Sequence, residues 1–310
     1  MNALNEKAPR EGGASVEYAN ASGKPTIKQD KDSKKSAFEQ FQVAQNEEFT
    51  KIVESLAKVV PESGWRRYKL DRNKRPAPVP PILSIDGQPV LQRGGTTCIS
   101  GGAKAGKSTL IASICAALVG NTPVLGITKE LPVEDAVLFD TEMSENEIWG
   151  FLDIITKISG CGETWDNALK LDELAPEERL QQIVDYIAEI RPGVALIDGV
   201  ADLLNDPNDL RESKALVAEL NRIAHEYQTA ILAVLHTNPG TDKSRGHLGS
   251  EIDRKFQTCI LIEKNESGEF ARVTPRLTRK KPFREFAFRL NSEGLPELCT
   301  APEITHKSKK

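Results

Sequence analysis

The residues that decide how this chain folds are Gly101-Gly102-Ala103-Lys104-Ala105-Gly106-Lys107-Ser108, entered from Thr96-Thr97-Cys98-Ile99-Ser100 and left through the apolar run Leu110 to Val119. The eight central residues match GxxxxGK[ST], a glycine-rich turn between a strand and a helix. Such a turn aims consecutive backbone N–H groups at one point, and the helix N-terminus beneath adds positive potential, so the pair cradles phosphate. The expected cradle comprises Gly101, Gly102, Ala103, Lys104, Ala105, Gly106, Lys107, Ser108 and Thr109. Lys107 is expected to bridge the β- and γ-phosphates of a nucleotide, and Ser108 to ligate Mg²⁺.

Outward from this point, strands and helices alternate. Apolar runs predict strands at Thr96–Ser100, Ala136–Asp140, Val194–Asp198, Ala230–His236 and Cys259–Glu263. Helical periodicity appears at Lys107–Val119, Glu145–Ile158, Pro176–Ile190 and Asp209–Tyr227. In the third of these Leu180, Ile183, Val184, Ile187 and Ile190 share a face, and Arg191-Pro192-Gly193 ends it. Apolar strands separated by helices imply an α/β fold, a mostly parallel twisted sheet covered on both faces. Past Glu263 the turn residues at Asn265–Gly268 and Asn291–Gly294 predict antiparallel hairpins at the C-terminal edge of that sheet.

Three of the predicted strands end in residues that could act on a bound phosphate. Val194-Ala195-Leu196-Ile197-Asp198 offers Asp198 to the Mg²⁺ shell. Ala136 to Phe139 leads into Asp140-Thr141-Glu142, where Glu142 is the expected group to polarise an attacking water. Asp140 competes for that role, but strand alternation is expected to turn it away from the ligand. Ala230 to Leu235 ends in His236, a candidate sensor of the γ-phosphate.

The rest of the chain bounds the reading. Of 310 residues, 39% are hydrophobic and only 5% aromatic, enough for one substantial core with part of the chain left unpacked. A net charge of −4 excludes a globally basic nucleic-acid coat. Five scattered cysteines, none in a CxxC pair, argue against a disulfide scaffold or zinc site and for a reducing cytoplasm. The start of the chain lacks a signal-peptide core, and Leu110–Val119 is about half the length that spans a bilayer, so no membrane partner is expected. The expected organisation is a disordered arm at 1–35, a short helical segment at 36–60, a basic and proline-rich linker at 61–81, the α/β domain with the phosphate loop at 82–300 and a basic tail at 301–310. The linker carries Arg66, Arg67, Lys69, Arg72, Lys74 and Arg75 against Glu62 and Asp71, and ends in the stiff segment Pro76–Pro81.

Taken in order, these sites resemble the RecA-like ATPases, and within them the group of RepA hexameric replicative helicases and mobile-element AAA-family ATPases, with DnaB and KaiC more distant. The resemblance runs over roughly residues 80–290. It rests on ILSIDGQPVLQRGGTTCISGGAKAGKST (82–109), FDTEMS (139–144), VALIDGVADLL (194–204), AVLHTN (233–238) and SRGHLGSEIDRKFQTCILIEK (244–264). It implies hydrolysis of ATP with Mg²⁺ at the interfaces of a homo-oligomeric ring, often a hexamer, acting on single-stranded DNA. It also implies a basic finger reaching a neighbour's γ-phosphate from the late hairpin strands. Here that places Arg279 and Lys281, with Lys280 between them, in the finger role. The DNA-facing loop of the family falls on Pro239–Ser250, which carries only Lys243 and Arg245. The expected partners are a second copy of the chain, single-stranded DNA, and replication or mobilisation proteins of a plasmid or transposon. A non-motor assembly ATPase acting through protein contacts is the alternative. A small-molecule kinase is disfavoured, because a glutamate-bearing strand lies between the phosphate loop and Asp198 and no arginine-rich lid follows the loop's helix.

Overall fold

The computed structural model describes residues 64, 68–133, 135–162, 165–237, 246–265 and 267–300. The expected arm, the helical segment at 36–60 and the basic tail lie outside the described residues, as do Lys243 and Arg245. The chain divides into two units, residues 1–76 and 77–310. Among the described residues of the first unit is one exposed 3-10 turn, Arg72–Lys74, whose Asn73 N–H is accepted by the Asp71 carboxylate at 2.9 Å. The second unit begins inside the proline-rich segment, a few residues before the expected start at 82, because Pro81 is already paired with Gln92 in a strand.

Within that unit the elements run β1 (Pro81–Ile85), β2 (Gln88–Gln92), β3 (Thr96–Gly101), α1 (Lys107–Val119), β4 (Ile127–Lys129), β5 (Ala136–Asp140), α2 (Glu145–Ser159), β6 (Ala168–Lys170), α3 (Pro176–Ile190) and β7 (Val194–Asp198). A 3-10 turn, Val200–Leu203, follows. Then come α4 (Leu210–Tyr227), β8 (Ala230–His236), α5 (Gly246–Lys255), β9 (Thr258–Lys264), β10 (Ala271–Thr278), β11 (Phe286–Leu290) and β12 (Pro296–Cys299). Nine strands form one sheet in the order β12-β11-β10-β9-β3-β8-β7-β5-β6. From β9 to β6 all neighbours are parallel, and from β9 to β12 all are antiparallel. The two expected hairpins close through Gly268 N–H to Asn265 O (2.9 Å) and Gly294 N–H to Asn291 O (3.0 Å).

The central strands alternate strictly between two cores. Leu138, Leu196, Leu232 and Val234 enter the core beneath α1 and α2, while Val137, Phe139, Ile197 and Leu235 enter the one beneath α3, α4 and α5. A strand covered on both faces needs no polar side, which is why these runs read as continuously apolar. The helices differ accordingly. From Leu110 to Leu118 α1 is buried on every side, whereas α3 buries only Ile183 and Ile187 fully. Helix α2 opens on a capping box in which Ser144 N–H donates to Glu147 (2.9 Å), and α3 opens on Pro176.

Three features lie beyond the sequence reading. A small antiparallel sheet, β2-β1-β4, packs Leu83, Ile85, Val90 and Ile127 into the core of α1. Strand β6 adds three residues to the far edge of the large sheet. The stretch expected as a loop through Ser250 is helical from Gly246, because Leu248 and Ile252 are buried in the same core as α4. Among the described residues no helix is long and apolar enough to cross a membrane.

Candidate active site

The pleat that divides the two cores also selects the residues of the site. Asp140, Asp198, His236 and Lys264 are the last residues of β5, β7, β8 and β9, and each stands two residues beyond a side chain in the α1 core: Leu138, Leu196, Val234 and Ile262. Two steps along a strand restore the same face. All four strands point the same way, so all four residues arrive at the edge where β3 turns into α1. There they line an open cavity of about 360 Å³ together with Lys104, Lys107, Ser108, Thr109 and Glu142.

The turn from β3 to α1 is a phosphate cradle. Lys104 and Gly106 both have left-handed backbone, with φ of 59° and 98°. A Cβ on Gly106 would also press on Ala271 at 3.2 Å, so glycine serves both the turn and the close approach of β10. No side chain caps α1, which leaves its first-turn N–H groups for a ligand. Lys107 is 8% exposed, and its ammonium donates to Gly101 O (3.1 Å) and Gly102 O (2.8 Å). Burial holds its pKa below the ordinary lysine value, against the opposing pull of Asp198 and Glu142.

His236 stands between the cradle and Glu142. Its Nδ1 lies 3.1 Å from Lys107 Nζ. An ammonium can only donate, so Nδ1 accepts and a neutral ring carries its proton on Nε2. That nitrogen faces Glu142 Oε1 at 3.7 Å. The histidine therefore touches both the lysine expected at the phosphates and the acid expected at the water.

Asp140 corrects the sequence reading. It was expected to point away from the ligand, yet it shares the face of Leu138 and forms part of the cavity wall. Its Oδ1 accepts the N–H groups of Glu142 (3.0 Å) and Met143 (2.6 Å), which folds the chain sharply and carries Glu142 over the cavity. Asp140 sits opposite Asp198 in the β5–β7 register. Burial, then Asp140, then Glu142, push the Asp198 carboxyl up to about 7, with Lys107 pulling the other way. Crowded carboxylates beside an exposed serine hydroxyl are hard oxygen donors short of positive charge. Mg²⁺ takes such a set, one or two carboxylates with waters and phosphate oxygens, so Ser108 and Asp198 fit the ion.

Arg279 and Lys281 are not part of this cavity. Thr278 pairs with Thr258, the first residue of β9, so the turn that follows lies at the far end of the strands. There Arg279 donates through Nη2 to Lys255 O (2.8 Å) and through its N–H to Gln257 O (3.0 Å). Lys264 is the cavity residue that sequence reading missed. Its signal was present, a cation closing an apolar strand next to the strand of the phosphate loop.

A family model described as an AAA domain matches residues 66–242. The chain belongs to that family. The match includes the phosphate loop, Glu142, Asp198 and His236. Together with the cradle it makes the chain a P-loop ATPase, a class that uses ATP with Mg²⁺. Among solved structures the chain is similar to the KaiC-like protein PH0186 of the hyperthermophilic archaeon Pyrococcus horikoshii OT3, at 16% identity and a TM-score of 0.51, covering 72% of this chain and 100% of that one. At that identity the likeness shows the fold, which is RecA-like. No curated protein matches the sequence.

Proposed function

We propose that this AAA-family chain hydrolyses ATP as a subunit of a homo-oligomeric ring, and that the ring acts on single-stranded DNA in replication or mobilisation of a plasmid or transposon. The observation that carries the hydrolytic part is the convergence of Lys107, Ser108, Glu142, Asp198 and His236 on one open cavity. Lys107 and the α1 N-terminus hold the β- and γ-phosphates, while Ser108 and Asp198 hold the ion. Bound Mg²⁺ supplies charge neutralisation at the phosphate oxygens. Glu142 orients the water and accepts its proton. His236 senses the γ-phosphate, because a phosphate that draws Lys107 forward takes away the partner of Nδ1.

The ring part rests on the basic turn. Arg279 and Lys281 stand at the end of the sheet remote from the cavity, so they can serve a γ-phosphate only in an adjacent subunit. The DNA part rests on the family resemblance and on Lys243 and Arg245, two cations per subunit in the sequence that follows His236.

ATP turnover measured with and without single-stranded DNA, alongside light scattering for mass, tests the whole reading. Turnover that rises with assembly and with DNA supports it. Assembly on ATP with no response to DNA replaces the motor by the assembly ATPase acting through protein contacts. Turnover by a stable monomer excludes the ring.

A further inference from the structure

We propose that Thr141 is the positioning residue that holds Glu142 in register with Asp198, through a side-chain clamp running from the end of β5 to α3. The proposal rests on the reading of Glu142 as the group that acts on water. Thr141 lies between the two acids of Asp140-Thr141-Glu142, and only 4% of it is exposed. It turns away from the cavity and toward the loop after β7. Its hydroxyl donates to Asp202 Oδ2 at 2.8 Å and lies 3.0 Å from Asp198 O and 3.4 Å from Gly199 O. One proton thus faces three acceptors, two of them backbone carbonyls at the end of β7 and one the Asp202 carboxylate. The bond to the Asp202 carboxylate is the charge-assisted one and so the strongest.

The partner side is built to receive it. Gly199 has φ of 91°, and a Cβ there would fall 2.0 Å from Thr141 Oγ1. Only glycine lets the two strand ends approach this closely. Asp202 sits in the 3-10 turn after β7, and that turn is fastened in place. Arg179 of α3 donates through Nη1 to Asp202 O (3.0 Å), through Nε to Leu171 O (3.0 Å) and through Nη2 to Asp172 O (2.8 Å). Leu171 closes the circuit by donating its N–H to Asp140 O at 2.8 Å.

Glu142 itself is more than half exposed, with a side-chain exposure of 55%. Packing alone does not hold it. Its place is set by the backbone that carries it, fixed below by the Asp140 turn and behind by the Thr141 hydroxyl. A catalytic group displaced by about 1 Å costs on the order of 10²-fold in rate. The clamp therefore acts on the rate of hydrolysis and leaves the phosphate cradle untouched.

The test uses the full chain in four variants: Thr141→Val, Thr141→Ser, Glu142→Gln and the double Thr141→Val/Glu142→Gln. Thr141→Val keeps the shape and deletes the hydroxyl. It is expected to lower kcat by roughly 10- to 10²-fold, with the Kd for a non-hydrolysable ATP analogue within about threefold of the parent. Thr141→Ser is expected to restore most of the turnover. In single-turnover measurements the Thr141→Val loss is expected to vanish once Glu142→Gln is present, because residues acting through one another are not additive. Parental turnover in Thr141→Val beside an inactive Glu142→Gln overturns the clamp alone. A loss that Ser does not restore, or one that persists in the double variant, also overturns it. Parental turnover in Glu142→Gln overturns the assignment of Glu142 and the clamp with it.

Discussion

The large sheet has two regions built on opposite rules. In β9-β3-β8-β7-β5 every strand runs the same way, so strand ends from distant parts of the chain meet at one edge. Asp140, Asp198, His236 and Lys264 are brought together by nothing more than direction and pleat. In β9 to β12 the strands reverse at each step, and residues close in sequence are sent to opposite ends. Lys264 and Arg279 lie fifteen positions apart in one hairpin, yet one lines the cavity and the other sits at the far end of the sheet. The parallel region gathers the cavity residues at one edge of the sheet. The antiparallel region sends its basic turn to the opposite end of the sheet, away from that cavity.

The sharpest test of this contrast is the exported turn. Arg279→Ala or Lys281→Ala should lower turnover of the assembled protein by about 10³-fold, the lower end of what such fingers contribute, while ATP affinity stays at the parental value. Mixing Arg279→Ala with Lys107→Ala subunits should recover part of the activity at hybrid interfaces. Loss of ATP affinity in Arg279→Ala would bring the turn into its own subunit's cavity and break the contrast.

Within the parallel region, Glu142→Gln should cut hydrolysis by about 10²-fold or more with binding retained, as for loss of a group acting on water. Asp140→Asn is the informative partner, because Asp140 holds the turn that carries Glu142. Should Asp140→Asn abolish turnover while Glu142→Gln spares it, the catalytic acid is the one at the strand end. Lys107→Ala should weaken ATP binding by about 10- to 10²-fold in calorimetry, the cost of leaving phosphate charge without its ammonium.

A pH effect follows from the crowding of acids at the same edge. The Asp198 carboxyl is raised from an ordinary 3.8 to about 7, so between those values the folded state holds a proton that the unfolded state has released. Stability contributed by this group is therefore present at low pH and lost as pH rises through that window. In melting curves without nucleotide or Mg²⁺, Asp198→Asn should flatten the fall in Tm across the window and raise Tm at pH 8. An unchanged profile would mean that the acids at this edge do not compete for charge.

The smallest expected effect belongs to Lys264, an exposed cation at the junction of the two regions. Lys264→Ala should weaken nucleotide binding by about two- to fivefold at low salt, as for a solvent-exposed charge, and less at high salt. Subunit mixing should not restore it, because Lys264 lines the cavity of its own chain.

Which features were legible in the sequence follows from the range over which each is determined. The strand runs and helix periods were legible because a strand buried on both faces must be apolar throughout and a surface helix must carry a stripe. The predicted bounds of β5, β7, β8, α1 and α3 agree with the structure to the residue. The strands β2, β4 and β6 carry no such signature, since they are three to five residues long and only partly buried, and β1, though buried at four of its five positions, opens on a proline and carries Ser84 within its apolar run. Helix α5 escaped notice for a related reason. Its stripe is short, and Leu248 and Ile252 gain their meaning from α4.

By itself, then, the sequence determined the phosphate cradle, the alternation of elements and the acids and histidine that end the strands. Each of these is written in residues adjacent along the chain, where φ preference, burial and charge act locally. Tertiary structure alone decided which way a strand-end side chain faces, which strand lies beside which, and where a hairpin sends its ends. That is why Asp140 joined the cavity and Thr141 found its partners some sixty residues away at Asp198 and Asp202. Pairing between distant strands is set by the packing of the whole sheet, and a linear pattern carries no record of it.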